Sequence, residues 1–101
     1  MITLPQGFYA HDLTDVFMAV HTASTSGLPT CQIHNLDNAL DMLSTKVSCD
    51  ANELNSSTAT TAAAINTSND HVNTGDRIRV DVDIAGTGTQ GLEIWLEFTP
   101  Q

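Results

Sequence analysis

Basic side chains are nearly missing from this 101-residue chain: Lys46, Arg77 and Arg79 stand against twelve Asp and Glu, for a formal net charge of −9. Nucleic-acid binding needs clustered Lys and Arg to meet phosphates, and anionic membrane surfaces need the same, so both partners are excluded. The acids are scattered rather than blocked, which suits a solvated exterior; the alternative is an electrostatic match to a basic partner. No apolar run approaches the ~20 residues that span a bilayer. Met1-Ile2-Thr3-Leu4-Pro5 has neither the basic flank nor the apolar core of a signal peptide, and the expectation is a protein made and kept in a cytoplasm. Without secretion, the glycosylation sequons at Asn55 and Asn66 carry no meaning.

Cysteine is scarce too. Cys31 and Cys49 form neither a CxxC nor a zinc spacing. Strand parity places Cys31 with Ile33, and Cys49 with Val47 and Ala51, on faces expected to be buried. Two free core thiols are expected, with a disulfide left open because it requires Cα atoms within ~7 Å.

Catalytic and metal-binding patterns are absent as well. His11, His21, His34 and His71 show no HxH, HxxxH or HExxH spacing. There is no GxSxG, and no Cys has an obvious His partner. Asp81 and Asp83, with Glu93 and Glu97 expected across from them, invite a Ca²⁺ reading. Arg77 and Arg79 share that face, so ion pairs are the expected outcome. Asp70, Asp76, Asn69 and Asn73 lack the spacing of an EF-hand loop. The chain reads as a non-enzyme with no cofactor and no metal.

What is present is β patterning. In Arg77–Ile84 the apolar Ile78, Val80, Val82 and Ile84 alternate with Arg77, Arg79, Asp81 and Asp83, the period of a strand with one dry face. After the glycine-punctuated segment 86–91 the pattern resumes with Leu92, Ile94, Leu96 and Phe98 on one face and Glu93, Trp95 and Glu97 on the other. The segment 74–100 is therefore expected to be a β-hairpin whose two apolar faces are buried together. Upstream, residues 13–23 form a long strand with Val16, Met18 and Val20 on one face and Asp15, Phe17, Ala19 and His21 on the other. Strands are expected over 28–35 and 46–51, with a short strand or helical turn over 37–44. Residues 56–65 are expected to be extended, because β-branched threonines outweigh the alanines. Residues 66–75 read as a polar loop. A chain this short is one domain: a β-sandwich or barrel over 11–101, preceded by an N-terminal arm over 1–10.

Together, Asp15-Val16-Phe17-Met18-Ala19-Val20-His21-Thr22-Ala23, Ile33-His34-Asn35, Asp41–Thr45, Ser57-Thr58-Ala59 with Ala64-Ile65, Gly75–Asp83 and Gly91–Phe98 resemble the small jelly-roll domain of tailed-bacteriophage virion proteins. The most specific piece is Gly75-Asp76-Arg77-Ile78-Arg79-Val80-Asp81-Val82-Asp83 with its Gly91-Leu92-containing companion. The resemblance implies an antiparallel β-sandwich of jelly-roll type, used as capsid decoration, as head fibre or as a tail-fibre module. It supplies no catalytic or ligand residue, and Trp95 stands where a small or β-branched outward residue is expected.

No heptads, collagen-like repeat or trimeric shaft accompany the domain. The expected function is accordingly a capsid decoration protein, held on the shell as a homo-oligomer, a trimer by preference. The alternative is a tail-associated receptor- or carbohydrate-binding module. Its partner is expected to be the major capsid protein or another virion protein. The interface residues expected are Phe8, Tyr9, Phe17 and Trp95, with Arg77 and Arg79; the aromatics among them fall outside the strand-parity core or in the arm.

Overall fold

The alternating patterns become ten strands. The computed structural model describes residues 1–101, with β1 (Ile2–Thr3), β2 (His11–Thr22), β3 (Thr30–Asn35), β4 (Leu40–Asp41), β5 (Leu43–Thr45), β6 (Val47–Ser48), β7 (Ala64–Ile65), β8 (His71–Val72), β9 (Arg77–Ile84) and β10 (Gln90–Pro100). There is no α-helix, and every pairing is antiparallel. One sheet runs β1-β9-β3, with β4 and β6 sharing the far edge of β3; a second runs β10-β2-β8; β5 and β7 form a ribbon. The fold is all-β and sandwich-like. Twelve residues in β2, at roughly 3.3 Å each, account for the long dimension of 40 Å.

The core forms where the two main sheets face each other. Val16, Met18 and Val20 of β2 turn inward, as their parity requires, and share a buried cluster with Cys31 and Ile33 of β3 and Ile78 of β9. Leu13 joins them although its parity is opposite. Asp15 pairs with Glu97 and Leu13 with Phe98, so Thr14 is an extra residue on β2 and the bulge turns Leu13 inward.

The expected hairpin is corrected. β9 pairs with β3 and β1, whereas β10 pairs with β2, so the two strands lie in different sheets. Their connection crosses between the sheets and is tied to the turn after β2. Thr25 N–H donates to Thr87 O (2.9 Å), Thr87 N–H donates to Ser26 O (3.1 Å), and the buried Ser24 Oγ accepts from Thr87 N–H (3.0 Å). Gly86, at φ +76°, leaves no room for a side chain, since a Cβ there would lie 2.5 Å from Ser24 Oγ. The apolar faces of β9 and β10 accordingly look across the interior instead of lying side by side. Ile78 is buried and Val80, Ile94 and Leu96 partly so, while Val82, Ile84 and Leu92 remain exposed.

Smaller differences have local causes. The expected 28–35 strand begins at Thr30, and of the 46–51 strand only Val47–Ser48 pairs. Residues 37–44 split into β4 and β5, because the chain leaves the first sheet at Met42. Residues 56–65 are not uniformly extended: Ser56–Thr58 make a 3-10 turn, capped by Asn55 Oδ1 accepting Ser57 N–H, before β7. The polar segment 66–75 contributes β8 to the edge of β2. Residues 1–10 are tied down at both ends, with Ile2 and Thr3 paired to Ile78 and Arg77, Leu4 buried, and Phe8 edge-on to Phe98 at 5.3 Å.

Candidate functional site

The outer face of the β10-β2-β8 sheet carries the exposed aromatics. Phe17 and Trp95 are direct cross-strand partners, because inward Met18 and Val16 on β2 force Phe17 out and inward Ile94 and Leu96 on β10 force Trp95 out. Trp95 is 60 % exposed and Phe17 half-buried. A shallow surface depression lies between them, edged by Asp15 and Glu97, which are also cross-strand partners. Glu93, opposite Ala19, extends the acidic edge on the other side of Trp95. None of the three strands contains a Lys or Arg. The face therefore offers a flat aromatic surface with carboxylates on both sides, suited to a partner bringing positive charge or polar groups above an apolar ring.

All three basic side chains lie elsewhere and are engaged. Lys46 Nζ meets Asp83 at 2.9 Å, Arg77 Nη2 meets Asp37 at 3.1 Å, and the Arg79 guanidinium spans both carboxylate oxygens of Asp81. The ion-pair expectation holds for Arg77 and Arg79, with different partners from those foreseen. Glu93 and Glu97 are on the other sheet, and Asp81 is two residues along the same strand from Arg79. The side-chain hydrogen bond from Arg77 holds the Asp37 carboxyl below its ordinary range, and the hydrogen bond that Lys46 donates to Asp83 raises the Lys46 ammonium above its own. Arg77 and Arg79 are thus not brought together with Phe17 and Trp95.

On this outer face of β3 and β9, His34, Asp41 and Asp81 bring three donor atoms within 4.8 Å of one another. They are the residues best placed to hold a divalent cation. An ion there would have to displace two existing pairings, His34 Nδ1 to Asp41 Oδ1 at 2.7 Å and Arg79 on Asp81.

A second feature is an apolar cleft of about 140 Å³ at the end of the sandwich near the β9–β10 connection. Val82 (53 % exposed), Ile84 (51 %) and Leu92 (41 %) line its mouth, and Met18, Val20 and Cys31 its floor. Strand parity marks all of these as interior, and nothing in the sequence distinguishes the ones left open. Asp15, Glu93 and Glu97, the rim of the aromatic face, were not singled out as site residues, although acidic neighbours of Trp95 belong to the carbohydrate-binding alternative. Their signal was available in the outward parity they share with Phe17 and Trp95.

Phe8 and Tyr9 lie apart from this face. The Phe8 ring packs on Phe98 and on His11 at 5.5 Å, filling the end of the core, whereas Tyr9 is 77 % exposed. Cys31 and Cys49 are free and buried. Burial pushes the Cys31 thiol up to about 11, with Asp83 adding to it, and burial also raises Cys49. Neither thiol is set up as a nucleophile, since both are held away from the thiolate form. Compared with family models, with curated proteins and with solved structures, the chain matches none.

Proposed function

We propose that this domain is a structural attachment protein of a tailed-phage virion, a decoration protein that binds the outer surface of the capsid shell as a homo-oligomer, with jelly-roll winding of its strands. The observation that carries the reading is the outward Phe17–Trp95 pair between Asp15, Glu93 and Glu97, a large aromatic surface exposed on a small domain. The role asks for affinity and many copies, not for chemistry. Acidic side chains over the remaining surface suit a particle exterior, because like-charged particles repel one another. The partner is the major capsid protein or another shell protein, with no nucleic acid, membrane, cofactor or catalytic step.

A second reading has its own support. The depression between Phe17 and Trp95, with carboxylates of Asp15 and Glu97 at its edge, matches the stacking platform and polar rim that a sugar ring requires. On that reading the domain is a tail-associated receptor- or carbohydrate-binding module. Trp95→Ala separates the two. The variant folds, because the side chain is outside the core, and the decoration reading expects it to lose occupancy on particles. Wild-type occupancy together with lost binding to cells or glycans overturns the decoration reading and leaves the receptor one.

A further inference from the structure

The free edge of β10 is defined by the hydrogen bonds of its neighbour. Met18 N–H donates to Ser56 Oγ (3.0 Å) and Val20 N–H to Leu54 O (2.8 Å), both away from β10. Residues along an antiparallel strand address their two neighbours alternately. Phe17 and Ala19 are therefore the β2 residues that exchange backbone bonds with β10, through Trp95 and Glu93. It follows that Leu92, Ile94 and Leu96 turn their N–H and C=O outward, on a side where no strand lies. β10 is eleven residues long, and between the left-handed Gly91 near its start and Pro100 at its end nothing interrupts this row of groups. Such an edge is a template for one more strand.

The same three residues point their side chains inward, and Leu92 shares the mouth of the apolar cleft with Val82 and Ile84. We propose that β10 accepts an extended segment of another protein as an additional strand, one in which apolar residues alternate with basic ones. Strand parity dictates the pattern. Residues of the added strand opposite Leu92, Ile94 and Leu96 face inward and cover the open apolar mouth; those opposite Glu93, Trp95 and Glu97 face outward beside two carboxylates and an indole. Charge selects the occupant. The accepting sheet holds Asp12, Asp15, Glu93 and Glu97 without one Lys or Arg, and the three basic side chains of the chain are already paired on the other sheet. A second copy offering its own β10 would bring carboxylates to carboxylates, whereas a basic segment neutralises them. The inference rests on the attachment reading above only for which assembly supplies the segment.

The test uses the purified full chain and a synthetic peptide of about nine residues alternating lysine with valine, the pattern of strand addition. The peptide is expected to bind and to slow hydrogen exchange at the amides of Leu92, Ile94 and Leu96, leaving those of Glu93 and Trp95 unchanged. Leu92→Pro removes one outward N–H without breaking a ladder bond and should abolish binding in a folded protein. Glu93→Gln with Glu97→Gln should weaken binding about tenfold, while a glutamate–valine peptide should not bind. Three results overturn the proposal: a lysine–valine peptide that does not bind; one that binds equally well when its residues are shuffled into blocks, or without protecting those three amides; or a β10-mediated dimer in sedimentation. Wild-type occupancy of Trp95→Ala on particles counts against the decoration reading whether or not the free protein takes up the peptide, and a lysine–valine peptide that does not bind overturns the strand addition whatever the occupancy, so the two failures are distinguishable.

Discussion

The side-chain amide of Gln32 pairs with the backbone of Leu43 as a strand would: Oε1 accepts Leu43 N–H at 3.0 Å and Nε2 donates to Leu43 O at 3.1 Å. It sits on the stretch of the β3 edge that neither strand pairs, between β6, which pairs at Thr30 and Cys31, and β4, which pairs at His34 and Asn35; next to it Met42 N–H donates to Ile33 O at 2.8 Å. Gln32 is buried, so the backbone groups it serves have no water to turn to. The side chain closes the seam at which the chain leaves one sheet for the β5–β7 ribbon.

Gln32→Leu should therefore destabilise the domain by about 2 to 4 kcal/mol, because three buried backbone groups, Leu43 N–H, Leu43 O and Ile33 N–H, lose this side chain as a partner. Gln32→Glu should be no better, since a carboxylate cannot donate to Leu43 O. Urea midpoints of the two variants against the parent check this. Parent-like midpoints would mean that Leu43 is satisfied in another way.

Ile33 and Val82 have the same inward parity and opposite environments, 0 % and 53 % exposed. Ile33→Ala should cost roughly 2 to 5 kcal/mol through the lost contacts and the cavity left behind. Val82→Ala should cost well under about 1 kcal/mol, because most of its side chain is already in water. Equal losses in thermal melts would show the mouth closed in solution.

Gly91 lies at φ +71°, and a Cβ there would fall 2.5 Å from the Cβ of His21, across from the start of β10. Gly91→Ala should destabilise by about 1 to 3 kcal/mol, from the left-handed backbone together with the clash. Combining it with His21→Gly should recover the clash part and leave the backbone part, a difference a double-mutant cycle reads directly.

The Cys31 thiol, raised by burial from 9.0 to about 11, links stability to alkaline pH. Between those values the unfolded chain releases the proton and the folded chain keeps it, so stability is intact below pH 9.0 and is lost as pH rises through about 11. Cys31→Ala should be less stable at neutral pH and lose stability less steeply above pH 9.0 than the parent. In the folded parent at pH 8, both thiols should react with an aromatic disulfide reagent only as fast as the protein opens.

Period-two patterning made much of this protein legible in advance. An all-β chain with antiparallel strands followed from it, as did the long second strand, the inward Val16, Met18 and Val20, and the outward Phe17 and Trp95. Each of these depends on where one residue's side chain points relative to its neighbours in sequence, which alternation states outright. The charge balance was equally direct, since composition alone shows how few cations the surface can have.

Partnership between strands was beyond it. Alternation in residues 77–84 and 92–98 is the same whether the two strands pair with each other or face each other across a core, because periodicity assigns a face and not a neighbour. The docking of Thr87 on Thr25 and Ser26 carries the chain across, and that depends on a turn sixty residues upstream. The same crossing leaves Val82, Ile84 and Leu92 open, separates Glu93 and Glu97 from Arg77 and Arg79, and puts β10 at an edge. Leu13 apart, which its bulge turns inward, the side chains that point inward were written in the local sequence; which of them are covered was decided by how many strands each sheet holds, a property only the assembled chain has.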